Sequence, residues 1–266
     1  MAQTLSPNAL KLIDKYFNLP FDVAEIRCPY FNNAKVGGRA QLRVLAGKGT
    51  PQEIVDEAKI ISMQYKKGIF DKDGHCCLHM HSEAEHIGCI RQFLIDNNLG
   101  VDCSGFISHV LIAHFLETKH VDLRKKMFIT SPRNFFRWII SKLRPVEQMS
   151  VSVYANSKNS VAVNAMSELK PGDLIVMLKT GPRKTRNHML LVTENTGEII
   201  NYVHARAWSS EGQYSHGVTK GQIKIIKPEA GLLDQEWIEK GLSGEKNETL
   251  LEAQQAEILQ MKRLKF

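Results

Sequence analysis

Of the five cysteines in the sequence, one stands where a thiol can become a nucleophile. Asp102-Cys103-Ser104-Gly105 follows the turn-forming run Asn97-Asn98-Leu99-Gly100 and leads into Phe106, Ile107, Val110 and Leu111. Counted from Cys103, those spacings predict a buried helix whose first residue is the cysteine. Unpaired N–H groups and the positive end of the dipole at such a position favour thiolate over thiol, and thiolate is the reactive species. The competing reading makes Cys103 a small apolar residue on the core side of that helix. Two histidines follow downstream, His188 in Asn187-His188-Met189-Leu190-Leu191-Val192 and His204 in Tyr202-Val203-His204-Ala205. Nucleophilic acyl transfer needs a thiol and an imidazole within hydrogen-bond reach, with the imidazole held by a third group.

Such residues need elements to carry them. Strands are expected at 174–179, 188–194, 199–207 and 222–227, separated by turn residues, the first entered through Leu169-Lys170-Pro171-Gly172-Asp173-Leu174. Ahead of the cysteine, Ser6-Pro7 starts a short amphipathic helix through Leu10, Ile13 and Phe17, and Ala40, Leu42, Val44 and Ala46 alternate as a strand would. Gly47-Lys48-Gly49-Thr50 lacks the glycine a phosphate loop carries five positions earlier, where Leu42 stands. Thr50-Pro51-Gln52-Glu53 is instead a capping box with proline at the first helical position, and Ile54, Ala58, Ile61 and Tyr65 follow at helical spacing. Ser131-Pro132 opens a further helix with Phe135, Phe136, Ile139, Ile140 and Leu143 on one side. Residues 247–266, acidic first and basic last, read as a helix matched to its dipole. Helices first and strands afterwards predict an α+β protein. The expected division is an N-terminal extension over 1–50, a main domain over 51–230 and a C-terminal helical tail over 231–266.

The order Asp102-Cys103-Ser104-Gly105, Pro171-Gly172-Asp173-Leu174, a strand-opening His188, and His204 before a small residue resembles the NlpC/P-sixty superfamily of papain-like cysteine peptidases. The resemblance runs over about residues 51–228. It implies a papain-like, NlpC-type fold with the nucleophile-bearing helix packed on an antiparallel sheet. It also implies Cys103 as nucleophile, His188 as general base and His204 as the group orienting the base. Tyr65, Asp102 and Ser104 are the implied substrate-binding residues. The implied activity is hydrolysis of amide bonds in peptidoglycan-type stem peptides, often between D-glutamate and a diamino acid. The partner is then a peptide or muropeptide substrate, and neither a metal nor another cofactor is expected. A backbone N–H at Cys103 would stabilise the oxyanion. An acyltransferase or amidase on the same fold is one alternative, and a non-catalytic basic binding module with a structural Cys103 is another.

A strand register follows from spacing alone. With Asn195, Thr196 and Gly197 as a three-residue loop and Gly197 at its left-handed position, Glu194 pairs with Glu198. His188 then stands directly opposite His204, with Cβ atoms about 4.5–5.5 Å apart. A one-residue slip would send His204 to the other face.

Other residue groups are less committed to chemistry. Residues 68–100 are rich in Gly, Asp, His and Asn; within them His75, Cys76, Cys77, His79, His81, His86 and Cys89 crowd together, but adjacent cysteines depart from zinc-site spacing, so this patch reads as a polar loop covering the active-site cleft. His109 and His114 read as ordinary helix residues, and His120 and His216 as loop residues. The 266 residues are 43% hydrophobic and 24% charged, with a net charge of +7. That composition suits a globular protein, and no apolar run approaches the ~20 residues of a membrane helix. Lys11 and Asp14 interrupt any secretory apolar stretch, so a cytoplasmic location is expected, with a route out that uses no cleaved signal left open. An odd, scattered set of cysteines argues against a disulfide framework. The charge is concentrated in residues 119–144, opening at Lys119 and closing at Arg144, which hold eight Lys or Arg and one acid, Asp122. Such a segment is either a solvated helix face or a surface for an anionic polymer, with no nucleic acid expected among the partners.

Overall fold

The computed structural model describes residues 4–22, 26–31, 46–64, 69–71, 73, 75, 76, 82–129 and 144–266. Tyr65, Cys77, His79, His81, most of the strand expected near Ala40 and the helix expected after Ser131 lie outside the described residues. The class is α+β, helices with an antiparallel sheet, and the chain divides into two compact units.

The first unit comprises Met1–Leu10, Ile107–His204 and Thr219–Phe266. Its sheet is built from β1 (Ser160–Val163), β2 (Leu174–Thr180), β3 (Arg186–Asn195), β4 (Ile199–Arg206), β5 (Gly217–Lys224), β6 (Glu236–Glu239) and β7 (Ile258–Leu264). The spatial order is β1-β7-β2-β3-β4-β5-β6. The pairings β1–β7, β7–β2, β2–β3, β3–β4 and β5–β6 are antiparallel. Ile175, Met177, Leu190, Val192, Ile200, Tyr202, Ile223 and Trp237 form an apolar cluster that Leu250 and Ala253 of the helix Glu248–Gln255 join. Leu174, Val176, Met189 and Leu191, which alternate with those residues, are fully buried too. The central strands β2 and β3 are therefore covered on both faces, and their near-continuous apolar runs reflect this. The Pro171-Gly172-Asp173-Leu174 motif is a structural junction: Asp173 accepts from the Lys170 N–H (2.8 Å) and holds Arg263 of β7 (2.6 Å). The Arg263 guanidinium is in turn stabilised in its charged form by that carboxylate.

The expected C-terminal helical tail is corrected by this sheet. The tail's one α-helix is Glu248–Gln255; Glu236–Glu239 is β6, and Ile258–Leu264 is β7, inserted between β1 and β2. Glu, Leu, Gln, Met, Lys and Arg are all good helix formers, and two flanking strands outweigh a preference worth tenths of a kcal/mol per residue.

The second unit comprises Lys11–Phe106 and Ala205–Val218. Helix α1 (Pro7–Phe17) contributes its later turns. Helix α2 (Pro51–Gln64) begins at the expected capping box: Glu53 N–H donates to Thr50 Oγ1 (3.2 Å) and Thr50 N–H to a Glu53 carboxylate oxygen (2.8 Å). The region read as a polar loop contains a second full helix, α3 (Glu83–Asp96), with Ser82 accepting from Glu85 N–H and Ile90, Phe93 and Leu94 buried. Its signal was present in Ser82-Glu83-Ala84-Glu85, a capping-box pattern ahead of apolar residues. The histidines and cysteines before it masked that pattern. Residues 26–31 and 46–50, expected in an extension, belong to this unit: Cys28 N–H donates to Tyr16 O, and Tyr30 and Lys48 both bridge Val101. Tyr16 meets Phe106 edge-on at 5.1 Å, and Phe21 stacks on Phe70 at 5.6 Å. Arg91 donates to the carbonyls of Arg27, Tyr214 and His216, and burial pushes its guanidinium down to about 10.

Candidate active site

Cys103 is the first residue of α4 (Cys103–Lys119), as its surroundings in sequence predict. The helix start is assembled from a few side chains. Asp102 Oδ1 accepts from Gly105 N–H at 2.6 Å and from Ser104 Oγ at 3.0 Å, the pattern of an N-cap. Lys48 Nζ pairs with the same carboxylate oxygen at 2.9 Å and also bonds Ser104 Oγ. Lys48, Asp102 and Ser104 are all buried. Asp102 and Ser104, expected to bind substrate, therefore direct these polar atoms into the protein's own framework. Lys48 neutralises the carboxylate that would otherwise oppose a thiolate one residue away. Gly105 completes the arrangement, because a Cβ there would lie 2.2 Å from the Gly47 carbonyl oxygen. That glycine lets the first turn of α4 lie against the backbone at 47–48. In the sequence Lys48 stands in a stretch that departs from the phosphate-loop pattern, and no local spacing points from 48 to 102.

Cys103 is 5% exposed. Among the other described thiols, Cys28 is fully buried and burial pushes it far up, while Cys76 and Cys89 are half-buried. Hence Cys28 stays protonated and inert.

The first unit holds both histidines. His188 Nε2 lies 2.7 Å from His204 Nδ1, with ring centroids 5.0 Å apart, and both residues are buried. The same-face arrangement was expected, but the register that produces it differs. The turn closes later than spacing suggested: Thr196 N–H bonds Ile199 O, and Glu194 pairs with Asn201 rather than Glu198. A three-residue shift alone would turn His204 to the opposite face. A β-bulge between Val192 and Glu194 removes one residue of the shift, giving Val192↔Tyr202 and Leu191↔Val203. Continued by one step, that register sets His204 opposite position 190 and diagonal to His188, within reach of two rings.

Glu239 was not anticipated. It is buried on β6, and its Oε2 lies 3.0 Å from His204 Nε2, 3.1 Å from Tyr202 Oη and 3.1 Å from Thr249 Oγ1. Its strand partner is Gly221 on β5, the strand between β4 and β6. A Cβ at 221 would lie 2.3 Å from the Tyr202 ring and hydroxyl, so the glycine opens the way for Tyr202 to cross β5. Only the strand order brings 204, 221 and 239 together.

Asp71, Asp73 and His75 offer ligand atoms within 4.8 Å of one another and form the one potential cation group among the described residues. Asp71 already accepts from the N–H groups of Asp73 and His75 as a turn residue. Within the basic segment, Asp122 caps the short helix Leu123–Lys126 and pairs with Arg124, whose guanidinium holds that carboxyl below its usual range. Arg144 pairs with Glu147, and Lys125 and Lys126 are exposed. Among the described residues no helix is long and apolar enough to cross a membrane. No protein-family model matches the chain, and no curated protein or solved structure matches it either.

Proposed function

We propose that this protein is a cysteine hydrolase of papain-like, NlpC-type design that cleaves amide bonds in peptidoglycan-type stem peptides. The observation that carries the reading is the His188–His204 ring contact at 2.7 Å. A buried imidazole held at one nitrogen by a second polar group has the form of an oriented general base. The helix-start position of Cys103, with Asp102 neutralised by Lys48, adds the setting a thiolate needs.

In this reading His188 takes the Cys103 proton, and the thiolate sulfur forms a bond to the amide carbonyl carbon. The tetrahedral oxyanion collapses, the C–N bond breaks, and His188 returns the proton to the leaving amine. Water then attacks the thioester, giving one proton to His188. The C–S bond breaks, the product acid leaves, and the imidazolium and thiolate return to their starting pair. The exposed Lys125 and Lys126 suit an anionic peptide, which they would attract from solution. Muropeptides in the cytoplasm, or the wall itself after export, are the proposed substrates.

Incubation of wild type and Cys103→Ala with a muropeptide mixture, read by mass spectrometry, tests the reading. Wild type should yield products one water heavier in total than their parent peptide, and Cys103→Ala none. Iodoacetamide below pH 7 should label Cys103 ahead of Cys76 and Cys89, because an ordinary thiol (pKa ~8.5) is mostly protonated there. A silent Cys103 together with intact muropeptides would remove the enzyme reading.

A further inference from the structure

The carboxylate at 239 has no part in the mechanism just given, yet it is the terminus of a continuous hydrogen-bonded line through both histidines. We propose that Glu239 is a positioning residue that sets the proton arrangement of His204 and, through it, of His188, so that Nδ1 of His188 is the nitrogen that accepts and returns the proton. The catalytic consequence rests on the hydrolase reading; the proton arrangement does not.

Two hydroxyl donors converge on Glu239 Oε2, Tyr202 Oη and Thr249 Oγ1, each at 3.1 Å, and His204 Nε2 lies 3.0 Å from the same oxygen. Convergent donors favour an ionised carboxylate, and an ionised carboxylate only accepts. His204 Nε2 therefore carries hydrogen. A neutral imidazole has one N–H, so His204 Nδ1 presents a lone pair. His188 Nε2, 2.7 Å away, must then be the donor of that contact. Its own single N–H is thereby used, and the lone pair of neutral His188 sits on Nδ1. When His188 takes a proton at Nδ1, its Nε2–H still donates to His204, and the new positive charge faces a buried carboxylate across one neutral ring.

Without the carboxylate the line can run in reverse. His204 Nδ1–H would donate to His188 Nε2, and His188 would carry its hydrogen on Nδ1, where it could not act as a base. Two otherwise comparable tautomeric chains are separated by the charge at one end. The framework commits several features to that end. Gly221 leaves room for Tyr202 to cross β5, Tyr202 meets the His204 ring at 5.4 Å between centroids, and Thr249 approaches from the helix Glu248–Gln255.

Long-range ¹H–¹⁵N spectra of histidine-labelled protein distinguish protonated from lone-pair ring nitrogens. Wild type should have hydrogen on Nε2 of both His188 and His204 and a lone pair on Nδ1 of His204, with a lone pair on His188 Nδ1 whenever Cys103 holds its own proton. Glu239→Gln, whose amide can donate as well as accept, should populate the reversed tautomers at both rings and lower kcat about 10²-fold or more with little change in KM. Glu239→Asp should restore part of the wild-type pattern. Tyr202→Phe and Thr249→Val, which keep the carboxylate, should retain the wild-type tautomers. Should Glu239→Gln fail to fold, the wild-type spectrum and the Glu239→Asp variant still decide. Hydrogen on Nδ1 of His204 in wild type, or on Nδ1 without hydrogen on Nε2 at His188, overturns the proposal, as do unchanged tautomers in Glu239→Gln. Expected tautomers with no cleavage of muropeptides would leave Glu239's role standing and remove only the hydrolase reading.

Discussion

At the cysteine, four consecutive residues and one lysine suffice: Asp102 caps the helix, Ser104 and Gly105 bond to it, and Lys48 balances its charge. At the histidines, the corresponding network draws on β3, β4, β6 and the helix Glu248–Gln255, and its bonded pairs are separated by 10 to 37 positions in the chain. The first is a local motif with one distant counter-ion. The second exists only when a bulged hairpin, a glycine gap in β5 and an edge strand are all in register. Both end on a buried carboxylate, but one carboxylate is met by a cation and the other by three neutral or tautomeric donors. A helix terminus supplies its own field and needs little more than a cap. An imidazole in a sheet has no such field and takes its proton arrangement from its partners.

Substitutions can break this contrast, beginning with the ion pair. Lys48→Met leaves Asp102 buried without its cation and should lower stability by about 3–5 kcal/mol in denaturant titration. Adding Asp102→Asn should recover much of that loss. A cost below about 1 kcal/mol for the single variant would mean that the pair does not hold the helix start.

On the histidine side, Gly221→Ala forces a methyl against the Tyr202 ring, which can shift only by disturbing Glu239. A cost of about 1–3 kcal/mol is expected, with the unfolding slope unchanged. Gly105→Ala, directed at a backbone carbonyl rather than a ring, should cost more than Gly221→Ala. Equal costs would show that the ring is as unyielding as the backbone.

A finer comparison removes one hydroxyl from each network. Thr249→Val takes one of three donors from Glu239, and Ser104→Ala takes one of the bonds at Asp102. Each should cost about 1 kcal/mol by thermal or chemical unfolding.

The smallest effect concerns a histidine outside both networks. His114 Nδ1 accepts from Ser6 N–H at 3.1 Å, and burial, then Lys119, hold its pKa below 6.5. The unfolded chain therefore binds this proton first as pH falls. The contribution is fully present above pH 6.5 and is lost as pH falls through the lower folded value. His114→Gln should flatten that part of the stability–pH curve, and an unaltered curve would assign the dependence elsewhere.

Local patterns carried the parts of the molecule that local forces build. The Thr50–Glu53 capping box, the cysteine at a helix start and the strands bearing His188 and His204 were legible because caps, dipoles and alternation act within a few residues. Even α3 had its signature at Ser82 and Glu85, overlooked among the histidines and cysteines before it. The hairpin was legible as a hairpin, but not its turn or bulge, because two compensating register changes leave the facing of His188 and His204 unaltered.

The sequence alone determined where a thiol would meet a helix terminus and where paired strands would carry histidines, since both depend on neighbours within one or two turns of chain. Tertiary structure decided which carboxylate and which lysine complete each network. It also decided that Ile258–Leu264 is a strand between β1 and β2 rather than a helix, and that Gly221 is a gap rather than a weak point. The physical reason is common to all four. A charge partner, a strand neighbour or a steric gap is defined by what lies across space, and no periodicity within a segment encodes the residue that will stand opposite it.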